Sequence, residues 1–255
     1  TFVMAPLVHW PEVMMTYDTT DKILFSADAF GTFGAINGNI FADEVDFERD
    51  WLDDARRYYT NIVGKYGTPV QNVLKKTAGL DIRYLCPLHG PIWRENIGWF
   101  IEKYQRWSSY TPEEQAVAIF CGSIYGHTEN ACEILASRLA EKGVRHVRLF
   151  DVSHTDVSEL VSEAFRCSHL VLASATYNGE IYTPMENFLR DLACHGLRGR
   201  SVALIENGTW AARSGMLMTK LLEEMKEMRV MEGTVTLKSS VKEAQRRGLE
   251  SLADA

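Results

Sequence analysis

This sequence predicts an α/β protein whose second half is a doubly wound parallel sheet, and three observations say so. After residue 112, continuous apolar strands alternate with amphipathic helices. Loops rich in hydroxyls and glycine follow successive strands, and the stretch SSYTPEEQ at 108–115 separates this rhythm from a first half of different character.

The first half opens β-rich. Phe2 to Val8 is apolar, Met14 to Tyr17 is short and mixed, and Lys22 to Ser26 leads into a turn ending in Ala29-Phe30-Gly31. From Asp46 to Val63 the apolar residues Phe47, Trp51, Ala55, Tyr58 and Ile62 recur at helical spacing. Thr68 to Leu80 predicts a second helix, DIRYLC a strand, and Asn96 to Trp107 a third helix. The second half then reads AVAIFCG, a helix to Lys142, HVRLFDV, a helix through Phe165, HLVLASA, a helix from Pro184, SVALIEN, and a helix from Arg213. Two domains follow, residues 1–111 and residues 112–255.

Composition narrows the function. The chain has 255 residues, enough for two cores, and its 46% hydrophobic and 24% charged content is ordinary for a globular protein. No run approaches the ~20 apolar residues of a membrane span. A formal charge of -7 without a long basic face excludes nucleic acid as the expected partner. Five cysteines without CxxC spacing fit neither a disulfide framework nor a zinc knuckle, so a reducing, cytoplasmic compartment is expected, with the thiols acting as small buried hydrophobes. The start at TFVMAPLV shows no signal peptide and no initiator Met.

In open α/β sheets the ligand lies beyond the carboxyl ends of the strands. The first loop there runs Gly122-Ser123-Ile124-Tyr125-Gly126-His127-Thr128. Its N–H groups and hydroxyls can surround a phosphate at a helix N-terminus. It has neither the GKS or GKT ending of a triphosphate loop nor GxGxxG, so a monophosphate suits it. A capped helix start without ligand is the competing reading of this loop alone. The second loop, Ser174-Ala175-Thr176-Tyr177-Asn178-Gly179, and the third, Asn207-Gly208-Thr209-Trp210, each join a permissive glycine to an aromatic. A flat isoalloxazine takes such faces to stack on and main-chain groups at its edge.

With these loops the second half resembles flavodoxins, and more closely the flavodoxin-like domain of flavodiiron proteins (A-type flavoproteins), whose phosphate loop tends to carry an aromatic where Tyr125 stands. The resemblance implies FMN as the cofactor. Residues 1–107 resemble the same family's metallo-β-lactamase-like domain through His9-Trp10-Pro11-Glu12, Leu24 to Gly31, Arg57-Tyr58-Tyr59 with Asn61-Ile62, and Cys86-Pro87-Leu88-His89-Gly90-Pro91-Ile92-Trp93. The implied fold is the second half of a metallo-β-lactamase-like αββα sandwich followed by a flavodoxin-like sheet.

By position, His9, Asp28 and His89 match three iron ligands of that family, Asp28 bridging two irons and each histidine serving one. Imidazole and carboxylate suit non-haem iron. Taken singly, His9 reads as a core histidine, Asp28 as a turn residue and His89 as a loop residue. Glu12 is not a ligand position in the family, Trp93 and Met14 read as packing, and His146, His154, His169 and His195 show no ligand spacing. The histidine that often follows the family's Ala-Phe-Gly is replaced here by Thr32-Phe33. The family's HxExDH motif does not occur in these residues, so residues 1–255 alone are expected to leave both irons short of ligands, to leave sheet faces uncovered and not to be competent as an enzyme.

The resemblance implies an oxidoreductase when intact: FMN passes electrons to a diiron site that reduces dioxygen to water or nitric oxide to nitrous oxide. It also implies a head-to-tail homodimer and a separate electron donor, rubredoxin or a cofactor-dependent reductase. The alternative is a flavodoxin-like electron carrier whose first half is a metal-free scaffold or holds a single metal.

Overall fold

The chain divides into two compact units, Thr1–Thr111 and Pro112–Ala255. The computed structural model describes all residues from Thr1 to Ala255.

In the first unit, strand alternation decides which side of a small sheet is inside. Strands β1 (Phe2–Met4), β2 (Met14–Asp18), β3 (Ile23–Phe25) and β4 (Tyr84–Cys86) lie side by side in that order. The first two pairings are antiparallel, and β3–β4 is parallel. Met15, Tyr17, Leu24 and Leu85 are buried, whereas Phe2, Met4, Met14 and Phe25 are exposed. Met14 therefore lies on the open face and not in the packing the sequence suggested. The apolar run Phe2 to Val8 yields only a three-residue strand.

The helical spacing of 46–63 is realised in pieces. Helix α1 (Phe47–Asp50) is capped by the Asp46 carboxylate, which accepts from Arg49 N, and Trp51 at φ -131° interrupts the ladder. Helix α2 (Leu52–Tyr58) then widens into a π turn at Tyr59–Val63 and a 3-10 turn at Gly64–Tyr66. Helices α3 (Gly67–Thr77) and α4 (Ile97–Ser108) complete the unit. Their core is aromatic: Trp93 stacks on Phe100 at 4.4 Å, and Tyr59 meets Tyr104 edge-on at 5.1 Å. Each such pair is worth about 0.5–1.5 kcal/mol beyond its buried area.

In the second unit the apolar runs become β5 (Glu114–Gly122), β6 (Val147–Asp151), β7 (Cys167–Tyr177) and β9 (Ser201–Asn207), with β8 (Glu180–Ile181) folded back on the end of β7. Between them run α5 (His127–Glu141), α6 (Val157–Arg166), α7 (Thr183–Cys194) and α8 (Ser214–Glu223). The sheet order is β6, β5, β7, β9, all parallel. On the outer edge of β9 lie β10 (Arg229–Val230) and β11 (Val235–Leu237), a fifth strand in two pieces, followed by α9 (Glu243–Asp254). The winding reverses between β5 and β7, which opens the crevice of a doubly wound sheet at their carboxyl ends. No helix is long and apolar enough to cross a membrane. Cys121, Cys132 and Cys167 are buried as expected, Cys86 is half-buried and Cys194 is exposed.

Candidate functional site

The three loops singled out from sequence converge on one cleft of about 340 Å³, within the scale of small-molecule sites. Buried β5 ends at Gly122, just before the first of these loops, where a Cβ would lie 3.1 Å from the Tyr182 ring. The chain then turns through Ser123, whose Oγ accepts the Gly126 N–H at 3.0 Å, and Gly126 takes φ +81°. Helix α5 starts at His127 without a side-chain cap, so its first-turn N–H groups and its dipole remain available to an anion.

At the end of β7, Asn178 (φ 52°) and Gly179 (φ 81°) form a two-residue hairpin turn between Tyr177 and Glu180. Thr176 Oγ1 beside it accepts the N–H groups of Arg213 and Ser214. After β9, Gly208 lets the chain curl so tightly that a Cβ there would stand 2.3 Å from the Ala211 carbonyl oxygen. This curl carries Trp210, 94% exposed, and the phosphate-type loop carries Tyr125, 86% exposed; both line the cleft. Large aromatic faces left bare around an uncapped helix start fit a phosphorylated flat ring such as FMN.

Of the sequence-predicted residues, Ser123, Ile124, Tyr125, His127, Thr128, Ala175, Thr176, Tyr177, Asn178, Gly179, Asn207, Gly208, Thr209 and Trp210 line the cleft. Gly126 shapes the loop from behind. Ala211 and Ser239 also line it and were missed; Ser239 follows the short β11, whose three residues gave no strand signal. A larger groove of about 650 Å³ runs between α6 and α7, and an apolar cavity of about 230 Å³ lies between α5 and α9 at the opposite end of the strands. Neither has a bare aromatic face beside an open helix N-terminus.

The first unit brings its three singled-out residues together. Register pairs Phe25 with Cys86, so the loops carrying Asp28 and His89 leave the sheet side by side. Ser26 N bonds Cys86 O, Leu88 N bonds Ala27 O, and Thr32 N bonds His89 O, which stitches the two loops together. Tyr104 anchors the Asp28 turn from the core, its OH accepting the Phe30 N–H at 2.7 Å. Gly90 takes φ +82° with Thr32 Cγ2 only 2.0 Å from where its Cβ would be, so the turn beside His89 admits no side chain. His9 Nε2 lies 3.4 Å from Asp28 Oδ2, and His89 Nε2 lies 3.2 Å from Asp28 Oδ1. The three meet through the carboxylate, and no group of three or more donors is arranged to hold a metal ion.

Tyr58 packs 5.7 Å from the His89 ring, with Phe33 edge-on to it at 5.2 Å. Burial first, and then the Asp28 charge, pushes its phenol above the usual range. Three of the other histidines have local partners: His154 with Asp151, His169 with Ser168, and His195 with the Asp191 carbonyl.

A profile described as ODP family beta lactamase matches residues 1–90. The chain is 33% identical over 195 residues to an uncharacterised protein of Methanocaldococcus jannaschii, covering 76% of this chain and 48% of that one. It is 29% identical over 229 residues to the anaerobic nitric oxide reductase flavorubredoxin of Aeromonas hydrophila, covering 87% and 45%. The chain thus spans about half the length of the sequence relatives it matches. The flavodiiron protein of Giardia intestinalis superposes with a TM-score of 0.91 at 25% identity, over 100% of this chain and 62% of that one. In sequence and in fold, this chain is a homologue of the flavodiiron proteins, with a β-lactamase-like unit followed by a flavodoxin-like one.

Proposed function

We propose that the chain serves FMN-dependent electron transfer to a non-haem diiron site that reduces dioxygen to water or nitric oxide to nitrous oxide, with residues 1–111 as the metal-bearing domain and residues 112–255 as the flavin domain. The observation that carries this reading is the cleft, where bare Trp210 and Tyr125 faces flank an uncapped helix start at the sheet's switch point. The bound flavin supplies electron transfer, and the iron pair supplies open coordination sites for a diatomic molecule.

The residues' own parts follow from their chemistry. Ser123 and the first turn of α5 would hold the phosphate, with Gly126 shaping the loop between them. Tyr125, Tyr177 and Trp210, which line the cleft, would cover the ring and keep water from it. His9 and His89 face different oxygens of Asp28, an arrangement that supports a carboxylate shared between two metals over a single three-ligand ion. We further infer a rubredoxin-type or reductase donor, a second copy of the chain as partner, and a reducing compartment that suits cysteines forming no disulfide.

A metal-free electron carrier is the second reading, favoured by the lack of any convergent three-donor group. Absorption of the purified protein, the mass of its released cofactor and its iron content separate the two. Measured on the intact protein, bound FMN with iron supports the enzyme, FMN with no iron on reconstitution supports the carrier, and a protein that takes up no flavin refutes both.

A further inference from the structure

Asn207 closes β9 at the floor of the cleft, yet its side chain is turned into the protein. Its Oδ1 accepts the Ser239 N–H at 2.9 Å, while Nδ2 donates to the Ser239 carbonyl at 3.0 Å and to Thr128 Oγ1 at 3.3 Å. Asn207 is 7% exposed and Thr128 2%, so neither exchanges these partners freely with water. One amide thereby joins the first turn of α5, the tip of β9 and the loop after β11. Ser239 is held at φ +70°, a left-handed conformation that a serine keeps only where its surroundings impose it. Gly208 N, bonded to Leu237 O, continues the same seam.

The polarity of this clamp matters. An amide nitrogen can only donate, so Thr128 Oγ1 spends a lone pair on Asn207 and its own proton is left to point elsewhere. Thr128 lines the cleft, and an anion in the loop takes donors, not acceptors. We propose that Asn207 is a positioning residue that orients the Thr128 hydroxyl as a donor to the cofactor phosphate and fixes the phosphate end of the cleft against the loops that hold the ring. This rests on the cleft taking FMN.

The test compares two flavins that differ only in the phosphate. Flavin-free chain is titrated with FMN and with riboflavin, following flavin fluorescence. The wild type should prefer FMN. Asn207→Ala should shrink that preference at least about tenfold while riboflavin affinity stays within about twofold. Asn207→Asp, whose carboxylate accepts the Thr128 proton and repels the phosphate, should shrink it further. Thr128→Val removes the same hydroxyl without touching β9, and adding Asn207→Ala to it should cost nothing more. An unchanged preference in Asn207→Ala or in Thr128→Val overturns the proposal, as does equal weakening of both flavins. Wild-type protein that binds neither flavin refutes the FMN reading itself, and the proposal falls with it.

Discussion

His89 Nε2 stands 3.2 Å from Oδ1 of Asp28, on the other carboxylate oxygen from the one that His9 faces at 3.4 Å. Two loops from neighbouring strands and one from the edge of the sheet thus meet at a single carboxylate. Its removal separates both imidazoles from their common partner, whereas loss of either histidine leaves one pair intact. Asp28→Ala should therefore weaken cobalt uptake by the intact protein at least about tenfold. His9→Ala and His89→Ala should each leave a residual fraction. Equal cobalt binding by wild type and Asp28→Ala, followed by the visible absorption of the bound ion, would remove the metal assignment.

Three phenols in the same unit make its stability depend on alkaline pH. Burial pushes Tyr59 and Tyr104 well above the ordinary tyrosine range, and burial with the Asp28 charge does the same for Tyr58. The folded chain keeps these protons where the unfolded chain, titrating near pH ~10, releases them. The unfolded state then binds fewer protons, so the stabilisation is complete below pH ~10 and declines above it by up to about 1.4 kcal/mol per pH unit for each phenol. Urea midpoints between neutral and strongly alkaline pH should fall along that course, and tyrosinate absorbance of the native protein should lack the contribution of Tyr58, Tyr59 and Tyr104. Tyr104→Phe should flatten the decline but cost about 1–3 kcal/mol at neutral pH, because it leaves the buried Phe30 N–H without an acceptor.

Trp210 offers the cleanest separation of binding from folding. It is 94% exposed in the free chain, so Trp210→Ala should leave thermal stability almost unchanged. If the indole covers a flavin ring, the same change should weaken FMN binding by about 1–2 kcal/mol, roughly tenfold. Flavin fluorescence titration reads the affinity and circular dichroism reads the melting. Undiminished FMN affinity would move the ring away from this loop.

Much of this arrangement is legible in the sequence, and the exceptions have physical causes. Long apolar runs such as that around Ile119 and that around Val171 announce buried parallel strands, because both faces are covered and no polar alternation is needed. The fifth strand was missed because β10 and β11 contribute two and three residues, held only by pairing with β9. Helix α9 was missed with it: Leu249 and Leu252 are its only buried residues. The Asn178-Gly179 hairpin carried a readable dipeptide signal, but its partner strand is two residues long. Asn207 shows the limit for site residues, since its type and place match a cofactor contact while its amide is spent on Ser239 and Thr128. Position along a loop tells which residues reach a cleft, and only geometry tells which way each side chain turns.

Gly208 tests whether the shape of the loop, as distinct from any one contact in it, makes the site. A Cβ on this residue would lie 2.3 Å from the Ala211 carbonyl oxygen and 2.8 Å from the Ala212 Cα, both backbone atoms that no rotamer change can move. Gly208→Ala must therefore open the curl that carries Thr209 and Trp210. The strain falls beyond the end of β9, outside the buried apolar cluster that includes Ile119, Val171 and Ile205, so the unit should still fold, at a cost of about 1–3 kcal/mol. FMN binding should drop by far more than Trp210→Ala alone causes, because the edge contacts and the stacking face are displaced together. Proteolysis should then cut preferentially near Trp210. A Gly208→Ala protein that binds FMN as tightly as the wild type would show that the curl plays no part in recognising the cofactor.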